Sequence, residues 1–146
     1  GLQRMTNCGV IEFEFSAEKF KEYVFEYKPR FIPISMDNFN LIKDLNLPNM
    51  NWKPIVCFDL NEIQQEDIDF FVDRGAKVLN LYGTTELVPP ILVGINSVDF
   101  TDPTFTYVVD VEDDGRLSCD GKTTDDLFEL FADEKNRKFT FKGKKE

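Results

Sequence analysis

The chain has 146 residues, of which 42% are hydrophobic and 30% charged; these are ordinary globular proportions and they exclude global disorder. A net charge of −10 repels phosphate backbones and anionic lipid, which excludes nucleic acid and membrane surfaces as partners and obliges any nucleotide to bind through local cations or a metal. Histidine is absent, removing the commonest general base and metal ligand. The three cysteines, Cys8, Cys57 and Cys119, form no CxxC pair and read as buried thiols of a reducing, cytoplasmic setting.

Residues 10–15 alternate polar and apolar side chains, which predicts a half-buried strand with Ile11, Phe13 and Phe15 on one face. Ser16 is placed as an N-cap, and Phe20, Tyr23, Val24 and Tyr27 recur at the spacing of an amphipathic helix that Pro29 ends. Residues 31–34 predict a short strand, confined by Pro33 to an edge or a strand end. Phe39, Ile42 and Leu45 predict a second helix, ended by the turn near Pro48, and residues 54–58 a buried strand. Residues 62–74 predict a third helix with Gly75 at its C-terminal cap, and residues 77–82 the next strand. This alternation predicts an α/β lobe built on a mostly parallel sheet with flanking helices.

Beyond Pro89-Pro90 the character changes. Strands are predicted at 105–111, 127–130 and 138–142, with a turn at Glu112-Asp113-Asp114-Gly115 and a hairpin around 132–137. This part reads as a small antiparallel β lobe, giving two units, residues 1–95 and 96–146. No apolar run approaches the roughly 20 residues that a membrane span needs, and no signal-peptide pattern opens the chain.

The chemistry-bearing segment is Asn80-Leu81-Tyr82-Gly83-Thr84-Thr85-Glu86. It lies where a strand runs into a loop, the place where open α/β sheets bind ligands. A tyrosine ring there can stack on a flat base, a glycine admits a ligand close to the backbone, Thr85 can hydrogen-bond a phosphate, and Glu86 can hold Mg²⁺. The bland alternative is a strand-end tyrosine beside a solvated acid.

The segment resembles the Asn-x-Tyr-Gly-x-Thr-Glu signature of the adenylate-forming superfamily: acyl-CoA synthetases, nonribosomal peptide synthetase adenylation domains and luciferase. The flanking order is similar as well. Upstream stand Cys8-Gly9, the 10–15 strand, a helix and Phe31-Ile32-Pro33; downstream stand Thr124-Asp125-Asp126-Leu127, then Asp133-Glu134-Lys135-Asn136, then Gly143-Lys144-Lys145-Glu146. The resemblance implies an ATP- and Mg²⁺-dependent ligase that converts a carboxylic acid to its acyl-AMP and passes it to a thiol, on coenzyme A or a carrier protein. It implies that Thr85 and Glu86 are the catalytic pair, with Glu86 serving the metal. Asn80, Tyr82, Gly83, Thr84, Asp126 and Lys144 would hold ATP or AMP: Tyr82 stacks on adenine, Asp126 binds the ribose hydroxyls, and Lys144 stands where the family has an arginine. Glu146 falls at the family's hinge.

Three departures accompany the match. Asp125 replaces a glycine, Lys144 replaces arginine and so loses the planar fork, and Asp59-Leu60-Asn61-Glu62 stands where the family has Gly-Gly-Glu. The Ser/Thr/Gly-rich phosphate loop and the lysine-bearing C-terminal domain of the family have no counterpart in this sequence. The chain is therefore expected to represent the later part of the large N-terminal domain and to be inactive alone. The alternative is a non-catalytic, adenylation-like module that binds nucleotide or protein.

Overall fold

A computed structural model describes residues 9, 11–58, 63–83, 91–101, 108–133 and 136–145. Helix α1, Ala17–Tyr27, begins where Ser16 accepts a hydrogen bond from the Lys19 N–H and ends at Lys28 in the left-handed region (φ 46°), just before Pro29. Its Phe20 and Val24 are buried. Strand β1, Phe31–Ile34, is an edge strand, as Pro33 requires. Helix α2, Met36–Ile42, is capped by Ser35; it stops before Leu45, whose N–H closes a turn on the Ile42 carbonyl. Strand β2 is Ile55–Phe58. Helix α3, Gln65–Val72, starts later than the sequence pattern predicts, at a reciprocal cap between Gln64 and Asp67. Beyond it Gly75 (φ 95°) and Ala76 donate to the Val72 and Phe71 carbonyls, the paired closure of a Schellman motif.

Strand β3, Lys77–Tyr82, matches its predicted bounds. Six more strands follow: β4 Leu92–Ile95, β5 Phe100–Thr101, β6 Val109–Val111, β7 Arg116–Cys119, β8 Lys122–Ala132 and β9 Arg137–Lys144. All nine form one sheet in the order β1-β2-β3-β4-β5-β9-β8-β7-β6. The expectation of a mostly parallel sheet is corrected here. Only the β1–β2 and β2–β3 ladders are parallel, and every later ladder is antiparallel. The physical reason lies in the connections. Helices α2 and α3 carry the chain back for parallel pairing, whereas the segment from Tyr82 to Leu92 is shorter than the dozen or so residues a parallel crossover needs.

The predicted strand at 10–15 is also corrected. Residues 11–16 form no strand. Their phenylalanines pack on α1 instead: Phe13 lies edge-on to Tyr23 at 5.1 Å and Phe15 against Phe20 at 5.7 Å, while Ile11 is exposed. A helix thus covers the apolar face that alternation had assigned to a sheet. The 112–115 turn forms as predicted, closed from Gly115 N–H to the Glu112 carbonyl, and so does the hairpin, with Ala132 opposite Arg137.

Two apolar clusters hold the molecule. The first joins Phe20 and Val24 of α1, Phe39 and Ile42 of α2, Ile68 and Phe71 of α3, and Val56, Phe58 and Val78 of the parallel strands. The second joins Tyr82, Leu92, Phe100, Val109, Leu117, Phe128 and Phe139. Strand β3 contributes to both, passing from one to the other between Val78 and Tyr82.

Candidate functional site

Alternation along β3 puts Val78, Asn80 and Tyr82 on its buried face. Tyr82 is fully buried, with its ring at 5.0 Å from Phe128 (75° interplanar) and 6.1 Å from Phe100 (62°). Its hydroxyl donates to Asp126 Oδ2 on β8. Burial first, then the hydrogen bond and negative charge of Asp126, push the phenol well above its ordinary range.

Asp126 is one of two buried polar or charged residues among those described. Its second oxygen, Oδ1, accepts from Lys144 Nζ at 3.0 Å, and its backbone N–H donates to Thr124 Oγ1 at 3.2 Å. Lys144 reaches this position because of a bulge. Leu127 faces Gly143 but Phe128 faces Phe141, so Lys142 is an extra residue on β9 and Lys144 comes to stand opposite Asp126. Gly143 takes the φ of 104° at this irregularity.

Asn80 is the other buried polar residue, with 1% of its surface exposed. It lies between Phe58 of β2 and Gly94 of β4 in the ladder register. Neither its Oδ1 nor its Nδ2 has a hydrogen-bond partner among the described residues. An orphaned primary amide at this depth costs about 1–3 kcal/mol, so this is a site with unused polar valence.

The structure therefore links by hydrogen bonds Tyr82, Asp126 and Lys144, which the resemblance assigned to one nucleotide site, and leaves Asn80 unsatisfied on the Tyr82 face of β3. Gly83 follows directly as coil. Thr84, Thr85, Glu86 and Glu146 lie outside the described residues, as does Cys8. Asp125 is exposed. Cys57 and Cys119 are buried. Among the described residues no cluster of three or more cysteines or carboxylates is arranged for a metal ion, and no helix is long and apolar enough to cross a membrane. The acidic 112–114 turn is tied down by cations: Asp114 accepts from Lys145 at 2.7 Å and from Arg116 at 2.8 Å, with Lys145 foremost in lowering its carboxyl to about 2. Two residues escaped the sequence reasoning, Thr124 and Gly143. Their signals were a hydroxyl two positions before the buried aspartate and a glycine one position before the lysine.

The fold that carries this arrangement has counterparts among solved structures. The acyl-CoA synthetase (AMP-forming)/AMP-acid ligase II-like protein of Dyadobacter fermentans is similar with a TM-score of 0.55 and 15% identity, over 79% of this chain and 35% of that one. O-succinylbenzoate coenzyme A synthetase of Bacillus subtilis, in complex with AMP, is similar at 0.63 and 12%, over 90% and 42%. Coronafacic acid ligase of Pectobacterium brasiliense is similar at 0.64 and 17%, over 88% and 32%. This chain has part of the adenylate-forming fold. It spans 32–42% of the length of those three adenylate-forming chains. No family model matches the sequence, and no curated protein does. The adenylate-forming likeness is thus one of fold, carried by structure at identities where sequence comparison is silent.

Proposed function

We propose that this chain supplies one wall of the nucleotide site of an ATP-dependent acid–thiol ligase, an enzyme that activates a carboxylic acid as its acyl-adenylate before thioester formation. The observation that supports this most is the convergence of Tyr82, Asp126 and Lys144 from three strands of an adenylate-forming fold. Asn80 adds to it: its buried amide, without a partner among the described residues, is polar capacity left unused on the Tyr82 face of β3. Two solved structures of the similar Bacillus subtilis synthetase hold AMP, or ATP and a magnesium ion.

In this reading Asn80 and Thr84 contact the nucleotide, Gly83 admits it close to the backbone, and Asp126 binds ribose hydroxyls through Oδ1 as exposed Lys144 swings toward the phosphates. Thr85 hydrogen-bonds the α-phosphate and Glu86 holds the metal. Bound ATP and Mg²⁺ supply the activated phosphorus and the charge neutralisation on which loss of pyrophosphate depends. The buried Tyr82 acts through its hydroxyl, fixing the Asp126 carboxylate, with its ring forming the floor beneath.

Calorimetric titration of the chain with AMP tests the wall. Saturable binding is expected, weakened about tenfold or more by Asp126→Asn, which removes a charged hydrogen-bonding partner. No binding at millimolar AMP refutes this reading. It would favour the second one, a non-catalytic module, for which the engagement of both Asp126 oxygens by Tyr82 and Lys144 within the chain already speaks. In an enzyme that completes this site, Glu86→Ala is expected to lower pyrophosphate exchange by orders of magnitude, while the chain alone is expected to exchange none.

A further inference from the structure

Strand β8 is irregular on both sides at Asp126. Toward β9 the extra residue is Lys142. Toward β7 the slip is larger: Arg116 faces Leu127 and Ser118 faces Thr123, so Leu117 alone stands against Thr124, Asp125 and Asp126. Such a bulge strips ladder partners from both strands, and unpaired backbone groups at a half-buried position are costly. One side chain makes up the deficit. Thr124 Oγ1 donates to the Leu117 carbonyl at 3.0 Å and accepts from the Asp126 N–H at 3.2 Å.

We propose that Thr124 is a positioning residue whose hydroxyl replaces the missing ladder bonds and so holds the Asp126 carboxylate against Tyr82. Without that hydroxyl, the Leu117 carbonyl and the Asp126 N–H lose the group that links them, and the orientation of Asp126 is left to its contacts with Tyr82 and Lys144. The functional consequence, though not the geometry, rests on the nucleotide reading above.

The direct readout is the Tyr82 hydroxyl proton. Buried and hydrogen-bonded to a carboxylate, it should appear as a slowly exchanging, downfield proton resonance, assigned by its loss in Tyr82→Phe. In Thr124→Ser, which keeps the hydroxyl, the resonance should stay at its wild-type position. In Thr124→Val, which keeps the shape and loses the hydroxyl, it should vanish or move while circular dichroism stays native. An unchanged resonance in folded Thr124→Val overturns the proposal, because a role confined to stability would leave it in place. Should Thr124→Val fail to fold, hydrogen exchange decides: the Asp126 amide is expected to be protected in wild type and Thr124→Ser, and rapid exchange in wild type overturns the proposal. AMP affinity should fall about tenfold in Thr124→Val and recover in Thr124→Ser, the scale of one buried hydrogen bond. If wild type binds no AMP while the tyrosine proton behaves as stated, the nucleotide reading fails and the positioning role stands.

Discussion

Tyr82 shows how one side chain serves both packing and chemistry. Its ring closes the second apolar cluster while its hydroxyl satisfies a buried carboxylate. Replacing it by phenylalanine keeps the ring and strips Asp126 of a donor, at an expected cost of about 1–3 kcal/mol in urea unfolding. The pH dependence follows from the raised phenol. The folded chain holds Tyr82 protonated above the ordinary value near 10, so its contribution is whole below pH ~10 and falls as pH climbs toward the folded value. Urea midpoints at pH 8, 10 and 11 should therefore drop more steeply for wild type than for Tyr82→Phe; parallel curves would show that the hydroxyl is not the titrating group.

At the scale of elements, irregularities carry the site. Gly94, opposite Asn80, permits a close crossing: a Cβ there would lie 2.5 Å from the Asp99 carbonyl oxygen and 2.8 Å from that of Ser97. Both are backbone atoms, so Gly94→Ala is expected to cost at least about 2 kcal/mol in thermal or urea unfolding. Gly143 differs, since its Cβ would meet open space and only its φ of 104° resists a side chain; Gly143→Ala should cost about 1–2 kcal/mol and displace Lys144 from Asp126. Much of the element order was legible because its signals are local. Ser16 and Gly75 announce helix ends, and the stripe through Phe20 and Val24 announces a face. The residues were legible as one set, since the resemblance grouped Tyr82, Asp126 and Lys144, but their direct hydrogen bonding was not, because two bulges set their meeting. Strands β4, β5 and β7 went unpredicted: each has two to four residues, and Leu92–Ile95 is interrupted by Gly94, so neither period nor length marks it. The alternation at 10–15 misled because period 2 records which side chains are covered and not what covers them.

Over the whole molecule, charge and connectivity set the behaviour. A net charge of −10 on 146 residues opposes compaction through self-repulsion, so raising NaCl from 10 to about 200 mM should raise the melting temperature. A melting temperature that falls with salt would mean that ion pairs such as Lys145–Asp114 and Lys144–Asp126 outweigh the repulsion. The sheet is continuous, but β5 has only two residues, and among the described residues it alone joins β4 to β9, through Thr101 opposite Val93, Phe100 opposite Phe139 and Thr101 opposite Lys138. Asp99 reinforces the crossing, accepting from Thr140 at 2.7 Å and pairing with Lys138 at 3.7 Å. Mechanically, this makes two plates whose backbone seam is narrow but whose side chains pack together in the second apolar cluster, and the Tyr82–Asp126 contact spans the seam like a gauge. Any twist of one plate against the other must change the gap in which that contact sits. A force or ligand that strains the seam would then be registered at Tyr82 first, and fluorescence quenching across a dye pair on β2 and β8 would record the same motion as the tyrosine proton.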